Sequence, residues 1–141
     1  LDEKNGPPPE VNLFNEKNNG ETLLELMEKD YIKSAHDVSL GGILTAISKM
    51  CIKGNKGIEL KIPKYLINEI EYFFSEDQGR YIVEVTSEDL KNVTKILDKN
   101  SVHYDEIGKI IDKNMIINQK TKVTIDELKS YNTNWLKNYM L

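Results

Sequence analysis

The spacing of apolar residues switches back and forth along this chain, and that alternation limits its possible folds more than any other feature. Apolar residues three or four apart mark an amphipathic helix, and strict alternation marks a half-buried strand. Leu23, Leu24, Met27 and Tyr31 recur at helical spacing, so residues 12–30 are expected to be a helix, weakened locally by Asn18-Asn19-Gly20. Ile32 to Ala35 reads as a short strand. Gly41-Gly42 opens a second helix with Ile43, Ile47, Met50 and Cys51 on its apolar face, which makes Cys51 buried rather than reactive. Gly54-Asn55-Lys56-Gly57 is a turn, and Ile58 to Ile62 alternates as a strand stopped by Pro63. Residues 64–70 read as a short helix.

Alternation returns from Arg80 to Thr86, with Tyr81, Val83 and Val85 on one face and Arg80, Ile82 and Glu84 on the other. Ser87 is expected to cap a helix carrying Leu90, Val93 and Leu97. Val102–Ile111 and Met115–Ile117 read as a strand pair turned at Asp112-Lys113-Asn114, with a last strand ending at Val123. Thr124 and Glu127 form a capping-box signature for a closing helix that presents Leu128, Tyr131, Trp135 and Tyr139 on one face. Helices alternating with strands, plus one hairpin, imply a mixed sheet covered by helices.

Composition removes several function classes. The 141 residues suit one domain, and 19 basic against 23 acidic residues nearly cancel. Both halves of the chain carry the same small negative charge, so there is no basic arm for nucleic acid. The single Cys51 excludes an intramolecular disulfide and a cysteine zinc site and suits a reducing compartment. No apolar run is long enough to span a membrane. Asn5-Gly6-Pro7-Pro8-Pro9 reads as an extended leader, so residues 1–11 are expected to lead in from a preceding domain and residues 12–141 to form one domain. The start at Leu1-Asp2-Glu3-Lys4 lacks a signal peptide and an initiator methionine, and the expectation is a piece of a longer chain.

Two constellations could carry chemistry. In His36-Asp37-Val38-Ser39-Leu40-Gly41-Gly42 a strand gives way to a helix, whose N-terminal N–H groups and dipole suit an anion. Ser39 adds a hydroxyl, and Asp37 is a candidate Mg²⁺ ligand. The alternative is structural: Asp37 or Ser39 caps the helix, the glycines allow close packing, and His36 is a hydrogen-bonded core residue. The second constellation is Phe73-Phe74-Ser75-Glu76-Asp77-Gln78-Gly79-Arg80. Arg80 is the only arginine among the 19 basic residues, and its planar fork can grip a phosphate or carboxylate. The alternative is a surface salt bridge from Arg80 to Glu84 or Glu76. His103 reads as an exposed strand residue, and the Trp135–Tyr139 face as core or interdomain contact. No nucleophile–base pair is recognisable.

Taken together, His36-Asp37-Val38-Ser39-Leu40-Gly41-Gly42 and Phe74-Ser75-Glu76-Asp77-Gln78-Gly79-Arg80-Tyr81 resemble the last C-terminal-type domain of the synthetase subunit II of phosphoribosylformylglycinamidine synthase (formylglycinamide ribonucleotide amidotransferase). The histidine-first glycine motif is common to the wider aminoimidazole ribonucleotide synthetase superfamily. The Ser-Glu-x-Gln-x-Arg motif is similar to the amidotransferase branch specifically. The resemblance implies an α+β fold, a three-layer α/β sandwich with a mixed sheet and partial likeness to a ferredoxin. It implies a cytoplasmic ATP-dependent ligase of purine synthesis that uses Mg²⁺, works with a glutaminase partner and is inert as this domain alone. Barrel-forming N-type domains of the same parent chain would complete a nucleotide cleft. The resemblance makes His36, Asp37, Ser39, Gly41 and Gly42 candidates for lining that cleft, and Ser75, Glu76, Gln78 and Arg80 candidates for its second loop. Leu40 stands where this family commonly has Asp, and Asp77 where Ser is usual; a negative Asp77 would repel a phosphate. Competing readings are a carbamoyl-adenylate-forming hydrogenase maturation protein, a selenophosphate synthetase, or a purely structural nucleotide-binding or docking module.

Overall fold

The computed structural model describes residues 10–63 and 68–141. The expected leader through Pro9 and residues 64–67 of the expected short helix lie outside the described residues. The chain forms two compact units, each built from two stretches: the chain up to Ser39 with Glu76–His103, and Leu40–Ser75 with Tyr104–Leu141. No helix among the described residues is long and apolar enough to cross a membrane.

The first unit holds α1 (Leu13–Glu28), β1 (Ser34–Asp37), β3 (Tyr81–Glu84) and α4 (Leu90–Lys99). Asn12 caps α1 by accepting from the Asn15 N–H at 3.0 Å, and the helix runs through Gly20 without a break. Leu26, Ile32, Val93 and Ile96 form the buried centre, with Leu23, Tyr31, Ala35, Val83, Val85 and Leu97 packed around it. Each such buried aliphatic side chain contributes roughly 1.5–3 kcal/mol. The face of α1 differs from expectation, because Leu24 and Met27 are exposed. The inward stripe is Asn19, Thr22, Leu23 and Leu26, an i, i+3, i+4, i+7 pattern with polar members that an apolar-only reading skips. Thr22 is buried because α4 closes over it: the Asn100 amide donates to its hydroxyl at 3.2 Å and to Glu25 at 3.1 Å.

β1 begins two residues later than expected. Ile32 enters the core ahead of the strand, and Lys33 donates its N–H to the Glu84 carbonyl at 2.8 Å. β1 then pairs antiparallel with β3, His36 opposite Ile82 and Asp37 opposite Tyr81. Ser87 does not cap α4. The N-cap is Asp89, which makes no side-chain cap; Thr86 closes the turn before it by accepting the Asp89 N–H and donating its hydroxyl to the Asp89 carboxylate at 2.8 Å.

The second unit holds α2 (Gly42–Gly54), β2 (Gly57–Leu60), α3 (Glu69–Phe74), β4 (Gly108–Ile111), β5 (Asn114–Ile117), β6 (Thr121–Thr124) and α5 (Ile125–Met140). Its sheet runs in the order β4-β2-β5-β6, with β2 antiparallel to β4 and parallel to β5. This is the mixed sheet with covering helices that the sequence implies. The expected strand pair is nonetheless wrong in detail: residues 102–107 are irregular, and β4 and β5 are not partners, because β2 lies between them. The actual hairpin is β5–β6. Its turn places Asn118 at φ 49° and Gln119 at φ 59°, the two left-handed residues of a type I′ turn, and Lys120 donates to the Ile117 carbonyl at 2.9 Å.

Ile43, Ala46, Ile47 and Cys51 are buried on α2, which packs against α3 and α5. Cys51 is therefore a buried thiol outside any disulfide, as expected. At α5 the capping box forms: Thr124 Oγ1 accepts the Glu127 N–H at 3.1 Å, and the Thr124 N–H donates to Glu127 at 2.8 Å. That backbone hydrogen bond, with a second from the Thr124 hydroxyl, holds the Glu127 carboxyl below its ordinary pKa. Past the first turns α5 is not core: Tyr131, Trp135 and Tyr139 are 78%, 62% and 82% exposed.

Candidate functional site

The fold places both motifs where the chain passes from one unit to the other, between Ser39 and Leu40 and between Ser75 and Glu76. Each unit, taken by itself, brings its part of the two motifs together.

In the first unit the link is the β1–β3 ladder. Asp37 is opposite Tyr81, and one step further the Val38 N–H donates to the Arg80 carbonyl at 2.9 Å. His36 and Asp37 thus pair with Ile82 and Tyr81, and Val38 with Arg80, at the end of a two-stranded ribbon that Ser39 leaves. Val38 is buried, while Asp37 and Ser39 are exposed. The ribbon anchors its apolar residue inward and leaves a carboxylate and a hydroxyl accessible. His36 is hydrogen-bonded but is not core: its Nδ1 donates to the Asp37 carbonyl at 2.6 Å and lies 3.4 Å from the Asp37 carboxylate.

Residues 75–80 connect α3 to β3. Arg80 pairs with Asp77 at 3.7 Å, a partner the sequence did not suggest beside Glu84 or Glu76; Glu84 accepts from the Ser34 hydroxyl at 2.7 Å. The guanidinium therefore offsets the Asp77 charge that, taken alone, would repel a phosphate. Glu76 and Gln78 stand in the same loop, whose turn is made at Gly79. Gly79 has φ +70°, a conformation costly for side-chain-bearing residues, and it sits against Glu16 of α1. From the same helix, the Asn19 amide donates to the Gly79 carbonyl at 2.9 Å. Sequence reading treated Asn19 only as a helix weakener; its place in the inward stripe of α1 was the available signal.

In the second unit the link is glycine contact. Gly41 is the left-handed N-cap of α2, and no side chain caps this helix, which removes the reading of Asp37 or Ser39 as its cap. Gly42 has φ +68°, and a Cβ there would lie 2.5 Å from the Phe73 carbonyl oxygen and 2.8 Å from Phe74 Cα. The glycine motif and the end of α3 are thus pressed backbone to backbone, and only glycine fits. Ser75 ends α3 by donating its N–H to the Glu71 carbonyl at 2.9 Å. Leu40, where a carboxylate could have bound metal, is 79% exposed.

The α2 N-terminus has no side-chain cap and opens on Gly41 and Gly42, both in left-handed backbone. Among the described residues no group of three or more His, Cys, Asp or Glu side chains could hold a metal ion. Asp37 supplies one accessible carboxylate, which fits Mg²⁺ only where phosphate oxygens and water complete the shell.

Residues 1–119 match the family described as AIR synthase related protein, C-terminal domain. The chain is 66% identical over 140 residues to the phosphoribosylformylglycinamidine synthase subunit PurL of Pelagibacter ubique, covering 99% of this chain and 19% of that relative. It is 34% identical over 125 residues to the subunit of the same name from Thermococcus sibiricus, covering 86% of this chain and 17% of that one. Among solved structures, PurLQS from Thermotoga maritima superposes with a TM-score of 0.74 at 24% identity, over 85% of this chain and 22% of that one. T. maritima PurL complexed with FGAR gives 0.73 at 24% identity, over 84% of this chain and 21% of that one. These likenesses establish the fold, and the chain spans about a fifth of the length of the curated relatives it matches.

Proposed function

The chain belongs to the family of AIR synthase related C-terminal domains, and from that premise we propose that it is the last such domain of a phosphoribosylformylglycinamidine synthase synthetase chain. Residues 12–141 act as one domain in this reading, since each compact unit is assembled from two stretches of chain. The parent enzyme converts formylglycinamide ribonucleotide, glutamine and ATP to formylglycinamidine ribonucleotide, ADP, phosphate and glutamate in the cytoplasm, with ammonia from a glutaminase partner. Barrel-forming N-type domains of the same parent chain complete the cleft.

The observation that carries the reading is the joining of the two motifs. The β1–β3 ladder pairs His36 and Asp37 with Ile82 and Tyr81, the Val38–Arg80 hydrogen bond extends it, and Gly42 seats on Phe73 and Phe74. Such an arrangement suits binding and orienting a nucleotide's phosphates. In the second unit the start of α2, which has no side-chain cap, offers backbone N–H groups to an anion; in the first, Ser39 offers an exposed hydroxyl donor. Asp37 offers its carboxylate to a phosphate-bound Mg²⁺, which when present neutralises phosphate charge. Arg80, tied to Asp77, holds the loop that also carries Ser75, Glu76 and Gln78. In this reading the domain lines a nucleotide cleft and does no chemistry alone.

A second role is favoured by a separate observation. The apolar side chains of α5 at Tyr131, Trp135 and Tyr139 are exposed, which suits docking to another domain of the parent.

Calorimetric titration of the full-length chain with ATP·Mg²⁺ tests the nucleotide role. Asp37→Ala should weaken binding by about tenfold, on the order of one charge-assisted contact; unchanged affinity would remove Asp37 from the cleft. Given ATP, formylglycinamide ribonucleotide and ammonia, the 141-residue chain alone should show no turnover. Turnover would refute its inertness.

A further inference from the structure

We infer that Asn19 is a positioning residue for the Ser75–Arg80 loop, setting that loop's backbone for nucleotide binding without touching the nucleotide; this rests on the nucleotide-cleft reading of the loop. Asn19 lies in the middle of α1, far from the loop in sequence, yet its side-chain amide donates to the Gly79 carbonyl at 2.9 Å. The polarity of this bond is fixed by chemistry: a carbonyl only accepts, so the NH₂ end of the amide must face it.

The location matters because Gly79 is a weak point for conformation. With no Cβ, a glycine lets the peptide that follows it turn over at little cost. That peptide unit is rigid, and it carries the Gly79 carbonyl at one end and the Arg80 N–H at the other. Holding the carbonyl on α1 therefore chooses one orientation of the peptide on which Arg80 begins. The next carbonyl, that of Arg80, is held from the other motif by the Val38 N–H at 2.9 Å. Two consecutive carbonyls are thus fixed, one by α1 and one by the His36–Ser39 segment. The surface of α1 is shaped to the same turn: Gly79 rests on the Glu16 backbone, and Gly20 faces the Tyr81 hydroxyl.

The preceding residue supplies an internal control. The Asn18 amide also donates to a distant backbone carbonyl, that of Asn100, at 2.8 Å. Both bonds are partly buried and start from the same helix, but the Asn18 bond ends at the C-terminus of α4 and does not touch the loop. Loss of either should cost similar stability, and only one should disturb the loop.

The test uses the full-length chain and reads the ATP·Mg²⁺ concentration that half-protects residues 75–80 from hydrogen exchange, alongside the melting temperature. Asn19→Ala should raise that concentration about tenfold. Asn19→Asp, which keeps the shape but presents only acceptors to the carbonyl, should raise it at least as much. Asn19→Gln, which restores a donor, should recover part of the loss. Asn18→Ala should lower the melting temperature about as much as Asn19→Ala and leave the half-protecting concentration within twofold of wild type. If Asn19→Ala and Asn18→Ala shift that concentration equally, the positioning role is overturned while the cleft reading stands. If ATP·Mg²⁺ never protects residues 75–80 in the wild type, the cleft reading fails and this inference fails with it.

Discussion

Gly42 shows at the scale of one residue how close packing shapes the site. Its left-handed backbone and its contact with Phe73 and Phe74 each exclude a side chain. Gly42→Ala is expected to destabilise the chain by roughly 2–5 kcal/mol, combining backbone strain with overpacking. Gly54→Ala is the matched control, because a Cβ there meets nothing within 4 Å. Gly54 ends α2 without a left-handed backbone, so that change should be neutral or stabilising by up to about 1 kcal/mol through the unfolded chain. Denaturant midpoints measure both, and equal effects would show that the Phe73 seat is not rigid. The glycine pair was legible in the sequence as a point of close approach, but what it approaches was not. Arg80 was legible as an exception in a lysine-rich chain, and alternation and loop position offered Glu84 or Glu76 as partners; the loop also brings Asp77 to 3.7 Å, a contact that the spacing did not announce. Asn19 was read from helix propensity alone, and propensity is silent about a side chain that hydrogen-bonds across the fold.

The secondary-structure elements were legible wherever local signals set them. The Thr124–Glu127 box starts α5 as read, and its energetics give a pH signature. Because the folded Glu127 pKa lies below its ordinary value of 4.5, its contribution is fully present above that pH. It is lost as pH falls through the depressed folded value. Circular dichroism against pH should show the start of α5 fraying in that acid range, and Glu127→Gln should flatten that part of the profile. Thr124→Ala should cost about 1 kcal/mol at neutral pH, the usual worth of an N-cap. The strand pairing was not legible. Asp112-Lys113-Asn114 has turn chemistry and invited a β4–β5 hairpin, but the partner of both strands is β2, much earlier in the chain. The true hairpin turn, Asn118-Gln119, holds two left-handed residues without a glycine to announce them.

At the scale of the whole molecule, the sequence conveyed a mixed sheet with helices and a pair of motifs, and the structure shows each compact unit joining its share of both. The exposed face of α5 belongs to this scale too, because helical periodicity marks a face as apolar without saying what covers it. Trp135→Ser should leave the stability of the 141-residue chain within about 0.5 kcal/mol, as for other exposed positions. In the full-length enzyme the same change should lower the melting temperature, since docking would be lost; an unchanged melting temperature there would remove the docking role. The central claim is that the two motifs together line a nucleotide cleft. Hydrogen exchange of the full-length chain with and without saturating ATP·Mg²⁺ tests it most directly. Exchange should slow in both residues 36–42 and residues 75–80, and unchanged exchange in both segments at saturation would rule out a shared nucleotide cleft.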